Sequence, residues 1–156
     1  MPLRLDLVRH GEALPVGSEG DSGRALSEAG RSAVERLAAN LAQQGWRPDR
    51  AFVSPMRRAQ ESALILLRHG PPTLKPEILD ELVPDHEPAD ILEALSAHGA
   101  DRGHVLLVGH QPLLGRLVAY LEGRAERGLP PAALVRIRCD GAPAQGSGKV
   151  ELELRP

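Results

Sequence analysis

The chain has 156 residues, of which 42% are hydrophobic and 26% are charged, and its formal net charge is −2 at pH 7. This length predicts one domain over residues 1–156 with an aliphatic core, because the chain has only one Phe, one Trp and one Tyr. The small negative charge and the scarcity of aromatic side chains argue against nucleic acid as a partner, and the charge also argues against an anionic membrane surface.

The compartment is predicted from the cysteine content and from the N-terminal segment. Cys139 is the only cysteine, so an intramolecular disulfide is impossible. The N-terminal segment lacks the basic start and long apolar stretch of a signal peptide, and no apolar run approaches the roughly 20 residues of a membrane-spanning helix. We therefore expect a cytoplasmic protein.

Strands and helices alternate along the chain. Leucines that alternate with polar residues predict a first strand over 3–8, and the Gly- and Ser-rich segment 14–24 is predicted to be a mobile loop. Ser27 is the predicted N-cap of the first helix, and Gly45 is predicted to end that helix. The remaining predicted elements are a strand at 50–55, a helix at 56–70, a short strand with an irregular loop at 71–88, a helix at 89–99, a strand at 104–110, a helix at 111–123 and an antiparallel strand pair at 132–140 and 149–156.

This alternation predicts an α/β fold, a three-layer sandwich with a mostly parallel central sheet and helices on both faces. Ligands of such sheets bind outside the carboxyl ends of the strands. His10, Ser54 and His110 each follow a predicted strand, and Ser54 opens the segment that leads to Arg57 and Arg58. We therefore expect two histidines and two or three arginines to meet at one edge of the sheet.

Three motifs at these positions resemble those of the histidine phosphatase superfamily. They are Arg9-His10-Gly11, SPMRRAQES at 54–62 and GHQP at 109–112, and they are similar to the family's R-H-G signature, its S-P-x-x-R-A pattern and its late G-H strand end. The resemblance covers nearly the whole chain and extends to the short branch of SixA-type phosphohistidine phosphatases. It implies a phosphoglycerate mutase-like fold and phosphatase activity, and it selects Arg58 over Arg57 as the functional arginine.

The residues of these motifs suit phosphoryl transfer. Arg9 and Arg58 carry forks of donors that match phosphate oxygens and stay charged. Neutral His10 has a ring nitrogen able to attack phosphorus, and water then hydrolyses the phosphohistidine. His110, if its surroundings are anionic enough to protonate it, adds a third cation. Gly11 is predicted to bind phosphate by letting the backbone pass close to it.

Two further predictions concern the surroundings of the phosphate. The N–H groups at the start of the helix near Pro112 are predicted to point at the same anion. Because arginines supply the positive charge, we expect neither a metal ion nor a cofactor. Glu81 is the nearest candidate for the catalytic acid that many phosphomonoesterases of the superfamily carry in a middle loop, although the sequence is equally compatible with a solvated loop carboxylate.

The substrate has a leading hypothesis and two alternatives. The leading one is phosphohistidine in a phosphorylated protein, because its leaving imidazole depends less on an acid. A small-molecule phosphomonoesterase, which needs a carboxylic acid at Glu81 or Asp85, is the second. An inactive phosphate-binding module is the third. The residues expected at the surface are Arg57, His69, His86, His98 and His104.

Overall fold

The structure is a computed structural model that describes residues 2–156. Its strands are β1 (Leu3–Arg9), β2 (Arg50–Val53), β3 (Glu77–Ile78), β4 (Gly103–Gly109), β5 (Leu134–Cys139) and β6 (Gly148–Leu154). They form one sheet in the order β3-β2-β4-β1-β5-β6. The strands β1 to β4 run parallel to one another, and β5 and β6 are antiparallel to their neighbours. The predicted antiparallel pair near the end of the chain is thus confirmed.

The helices lie on both faces of this sheet. They are α1 (Glu28–Gln43), α2 (Arg57–Leu67), α3 (Pro88–Ala97) and α4 (Leu113–Glu122). Apolar residues of α1 and α2 form one core with the sheet, and those of α3 and α4 form the other. The predicted three-layer sandwich is therefore confirmed. Within residues 2–156, no helix has both the length and the apolar character required to cross a membrane.

The central strand β4 explains why the sequence is so apolar there. Val105 and Leu107 belong to the core on the α3 and α4 side, whereas Leu106 and Val108 belong to the core on the α1 and α2 side, and all four are fully buried. Successive side chains of a strand point to opposite faces of the sheet. Residues 105–108, which are covered on both faces of the sheet, are therefore apolar at every position.

Local signals fix the ends of α1 as predicted. The side chain of Ser27 accepts a hydrogen bond from the N–H of Gly30 (3.0 Å), which is the N-cap arrangement. After the helix the chain turns at Gly45, whose φ of 70° lies in the left-handed region that favours glycine. The position of α1 along the chain is therefore set by these two residues.

Two glycines bring α1 against the end of β1. A Cβ atom on Gly30 would lie 2.1 Å from the carbonyl oxygen of Glu12, and one on Gly11 would lie 2.8 Å from the carbonyl oxygen of Gly30. The N–H of Gly11 donates to Oγ of Ser62 (3.0 Å). Gly11 therefore serves the packing of α1 and α2 against β1, and its contact with phosphate stays a prediction.

We expect Gly30→Ala to lower the free energy of unfolding by about 1–3 kcal/mol, because the new methyl group must displace the main chain at Glu12. Gly17→Ala is the matched control, since a Cβ atom at Gly17 meets nothing within 4 Å. Urea unfolding of both variants and the parent protein measures the effect. Equal midpoints for the two variants would contradict the close approach of α1.

A charged cluster is buried around Asp6 of β1. Its carboxylate accepts hydrogen bonds from Nε1 of Trp46 (2.7 Å), Nε2 of His104 (2.6 Å) and Nε of Arg136 (2.6 Å). Burial raises the pKa of Asp6, but the hydrogen bonds from His104 and Arg136 outweigh burial and hold that pKa below its usual value. The stabilisation is therefore present above the unfolded-state pKa and is lost as the pH falls through the lower folded-state pKa.

The same cluster shows that the predicted surface position of His104 is wrong. The residue lies in β4, and only 17% of its side chain is exposed. Its place in the strand directs the ring toward Asp6. Because successive side chains of β1 point to opposite faces of the sheet, Asp6 points away from the core that contains Leu5 and Leu7.

Candidate active site

The candidate site lies where β1, β2 and β4 end. Both β1 and β2 pair with β4 in parallel, so their carboxyl ends lie side by side. The N–H of His10 donates to the carbonyl of Gly109 (3.1 Å), and the N–H of Ser54 donates to the carbonyl of Val108 (3.0 Å). The ring centroids of His10 and His110 are 5.0 Å apart. Topology thus brings together the three residues that follow the strands.

A cleft of about 340 Å³ opens at this edge of the sheet. Three arginines and one carboxylate contribute to its wall, so the cleft complements a negatively charged ligand. The charged and polar residues that line it are Arg9, His10, Glu12, Arg24, Arg58, His110 and Gln111.

His10 presents an unprotonated nitrogen to the cleft. Its Nδ1 lies 2.7 Å from the carbonyl oxygen of Gly11, and a nitrogen bonded to a carbonyl must carry the proton. Its Nε2 accepts a hydrogen bond from Nε of Arg58 (3.3 Å). Burial, together with the charges of Arg58 and Arg9, lowers the pKa of His10 to about 4. The imidazole is therefore neutral near pH 7, with its lone pair on Nε2.

The guanidinium of Arg58 is held from the loop that precedes α1. Its Nη1 donates to the main-chain carbonyl of Asp21 (2.8 Å), and its Nη2 donates to the carboxylate of Asp21 (3.3 Å). Only 6% of the Arg58 side chain is exposed. In contrast, Arg57 is 49% exposed and pairs with Glu61 (3.0 Å), so its predicted orientation toward solvent is confirmed.

Two buried nitrogen atoms of the cleft residues have no hydrogen-bond partner among residues 2–156. They are Nε of Arg9 and Nδ1 of His110. The rest of the Arg9 fork is anchored, because Nη1 donates to the carbonyl of Leu129 (3.0 Å). An unpaired buried polar group costs about 1–3 kcal/mol, so both nitrogens are suited to a ligand that supplies the missing partners.

His110 is neutral in this environment. Burial is the largest cause that lowers the pKa of His110 to about 3, and the charges of the neighbouring His10 and Arg58 act in the same direction. The surroundings of His110 are therefore cationic, which corrects the prediction that anionic surroundings protonate it. Its ring is anchored by Ser54, whose Oγ lies 2.7 Å from Nε2.

The structure does not bring Glu81 to the cleft. Glu81 lies in the short 3-10 turn Asp80–Leu82 and lines a separate cavity of about 420 Å³ together with His86 and Asp90. This placement corrects its assignment as the acid of the site. The cleft instead has the carboxylate of Glu12, which the sequence analysis missed although it lies two residues after His10.

The start of α4 also differs from the prediction. The N–H of Leu114 donates to the carbonyl of His110 (3.0 Å), and the N–H of Gly115 donates to Oε1 of Gln111 (2.7 Å). These groups are therefore already paired within the chain. Among the side chains of residues 2–156, no group of three His, Cys, Asp or Glu is placed to hold a metal ion.

The family model of the histidine phosphatase superfamily, branch 1, matches residues 5–83, which is just over half of the chain. The chain belongs to the histidine phosphatase superfamily. The predicted resemblance is thus confirmed.

Solved structures show how this superfamily member folds. It is similar to the protein histidine phosphatase SixA complexed with tungstate, with 27% identity and a TM-score of 0.87 over 98% of this chain and 97% of that chain. A mycobacterial glucosyl-3-phosphoglycerate phosphatase shares the fold, with 18% identity and a TM-score of 0.72 over 97% of this chain and 98% of that chain. The predicted phosphoglycerate mutase-like fold is therefore confirmed.

Sequence similarity to a longer protein is confined to one segment. The mitochondrial serine/threonine-protein phosphatase Pgam5 of Drosophila ananassae is 44% identical over 62 residues, which is 40% of this chain and 21% of that protein. This superfamily member thus spans about a fifth of the length of that curated relative.

Proposed function

We propose that this protein is a phosphatase, folded as a single histidine phosphatase domain, in which His10 is the nucleophile and phosphohistidine in a phosphorylated protein is the substrate. The observation that carries the proposal is the pair of buried, unpartnered nitrogens on Arg9 and His110, two residues that line the same cleft as His10. A phosphoryl group supplies oxygen acceptors to such donors and an electrophilic phosphorus to the lone pair.

The reaction divides into two displacements at phosphorus. In the first, Nε2 of His10 bonds to phosphorus while the bond from phosphorus to the substrate imidazole breaks, and that imidazole takes a proton from water. In the second, a water oxygen bonds to phosphorus and gives a proton to the hydroxide left by the first step, the bond to Nε2 breaks, and inorganic phosphate leaves. Arg9 and Arg58 hold the phosphoryl oxygens throughout, since charge on those oxygens must be balanced in both transition states.

The positive charge of the cleft comes from the chain itself. Arg9, Arg24 and Arg58 all line the cleft. Guanidinium groups can stabilise the charge of a transferring phosphoryl group, as metal ions do in other phosphoryl-transfer enzymes. The proposed reaction therefore needs no metal ion, and we expect its rate to be unchanged by EDTA.

Two observations bear on the choice of substrate. Cleavage of an alkyl phosphate requires an acid to protonate the leaving alkoxide, whereas imidazole leaves as a much weaker base. Glu81 lines another cavity, which favours the phosphohistidine substrate. Hydrolysis of a small phosphomonoester is the second candidate, and the carboxylate of Glu12 in the cleft favours it.

A substrate panel is the test of the proposed function. We expect kcat/KM for a phosphohistidine protein to exceed that for an unactivated alkyl phosphate by at least about tenfold, because no leaving alkoxide has to be protonated. Glu81→Gln should change kcat/KM by less than about twofold with either substrate, as for a residue outside the site. Glu12→Gln is the matched variant inside the cleft. A preference for alkyl phosphates that Glu12→Gln abolishes would replace this proposal with the small-molecule reaction.

A further inference from the structure

We propose that Ser54 is a positioning residue that holds His110 in the tautomer with its proton on Nδ1, so that neutral His110 donates this N–H to the phosphoryl group. The inference rests on the proposed function for the identity of the ligand, but the tautomer itself is a property of the free protein. It assigns different tasks to the two histidines of the cleft.

The direction of the hydrogen bond between Ser54 and His110 follows from a third residue. Ser54 is fully buried, and its Oγ lies 2.7 Å from Nε2 of His110 and 3.2 Å from the main-chain nitrogen of Met56. The N–H of Met56 can only donate, so Oγ accepts from it. Within residues 2–156, the acceptor that remains for the hydroxyl hydrogen of Ser54 is Nε2 of His110.

The alternative tautomer leaves more buried groups unpaired. If Nε2 of His110 carried the proton and donated it to Ser54, the serine hydrogen would have no acceptor among the described residues. The bare Nδ1 would then be a second unsatisfied buried atom. With the proton on Nδ1, the serine hydrogen is paired and only the Nδ1–H lacks a partner. Since each unpaired buried polar group is costly, the tautomer with the proton on Nδ1 is favoured.

The two histidines are therefore held in the same Nδ1–H tautomer, but they offer different atoms to the ligand. The carbonyl of Gly11 keeps the proton of His10 on Nδ1 and its lone pair on Nε2 in the cleft. Ser54 keeps the lone pair of His110 on Nε2 and leaves Nδ1–H as the unpartnered donor. Burial and the nearby His10 and Arg58 lower the pKa of His110 to about 3, so each ring carries a single proton near pH 7.

Removal of the Ser54 hydroxyl should affect the tautomer of His110 more than it affects the fold. In Ser54→Ala, Nε2 of His110 loses its hydrogen-bond donor, so the proton is expected to redistribute between the two ring nitrogens. A bare Nδ1 repels a phosphoryl oxygen where Nδ1–H attracts it. We therefore expect the affinity for inorganic phosphate to fall by about tenfold or more, as for loss of a hydrogen bond to a charged group.

Nitrogen-15 NMR of the histidine-labelled protein tests the inference without turnover. We expect Nδ1 of His110 to be protonated in the wild type and in Ser54→Thr, and to lose proton occupancy in Ser54→Ala. Ser62→Ala is the matched control, because that buried hydroxyl bonds to Gly11 and Arg58 but not to a histidine ring. The tautomer of His110 should be unchanged in this control.

The outcomes separate this inference from the proposed function. A proton on Nε2 of His110 in the wild type overturns the inference, and so does an Nδ1–H that persists unchanged in Ser54→Ala. An Nδ1–H that depends on Ser54, in a protein that hydrolyses no phosphorylated substrate, supports the tautomer assignment and overturns the proposed function. Weaker binding of inorganic phosphate by Ser54→Ala, with recovery in Ser54→Thr, supports donation of the Nδ1–H to the phosphoryl group.

Discussion

Replacing His10 by alanine is expected to abolish both turnover and the phosphoenzyme. The variant has no nucleophile, so the loss in kcat should reach several orders of magnitude, as for nucleophiles of other covalent mechanisms. A labelled phosphohistidine protein, quenched rapidly in base, should leave an acid-labile, base-stable label on His10 of the wild type. His98→Ala is the matched control, because His98 is exposed and lines the other cavity. A label on a different residue would refute the assignment.

The pH dependence provides an independent check on the same residue. Burial and the charges of Arg58 and Arg9 lower the pKa of His10 to about 4, so Nε2 keeps its lone pair above that pH. With an acid-stable phosphate ester as substrate, and after correction for the second ionisation of that ester at about pH 6, kcat/KM should stay high as the pH falls through the ordinary histidine value of 6.5 and should decline only near pH 4. A decline centred near 6.5 would show that the cleft does not hold His10 neutral.

Arg58→Ala is expected to lower kcat/KM by about 10²–10³-fold, because the variant loses a preorganised fork of donors on the transferring group. Arg57→Ala should change kcat/KM by less than about twofold. The two residues differ by about 100° around α2, so they cannot both face one phosphate. Arg58 contacts His10 and Asp21, whereas Arg57 pairs with Glu61 on the exposed side.

Steady-state kinetics with the phosphohistidine protein measures this difference, and thermal unfolding of both variants controls for loss of the fold. Arg58 is buried against Asp21, so some loss of stability is compatible with the prediction. Similar losses in kcat/KM for Arg57→Ala and Arg58→Ala would show that the functional arginine has been assigned wrongly.

The parts of the fold that could be predicted are those with a local cause. Ser27 and Gly45 mark the ends of α1 because capping and left-handed turns depend on residues within one helical turn. The apolar run of β4 indicates burial on both faces without knowledge of its neighbours. The Asp6 cluster has no such local signal, because Trp46 and Arg136 reach Asp6 from elements that are remote in the sequence.

The candidate site could likewise be predicted only in part. Arg9, His10 and His110 could be placed at one edge because parallel strands end together. The protonation state of His110 could not be predicted, since it depends on which charges the fold brings next to the ring. The contact of Asp21 with Arg58 and the separation of Glu81 from the cleft both depend on the paths of irregular loops, which neither spacing nor periodicity encodes.

The close approach of Gly11 and Gly30 limits how the protein can be redesigned. Gly11 leaves the space that the carbonyl of Gly30 occupies, and Gly30 leaves the space that the main chain of Glu12 occupies, so neither position can be enlarged without separating α1 from the strand end that carries His10. Substitutions intended to improve thermal tolerance therefore belong on the outer face of α1, at exposed positions such as Arg31 and Arg36. The inner face of that helix sets its distance from the end of β1, so we expect substitutions on this face to lower activity.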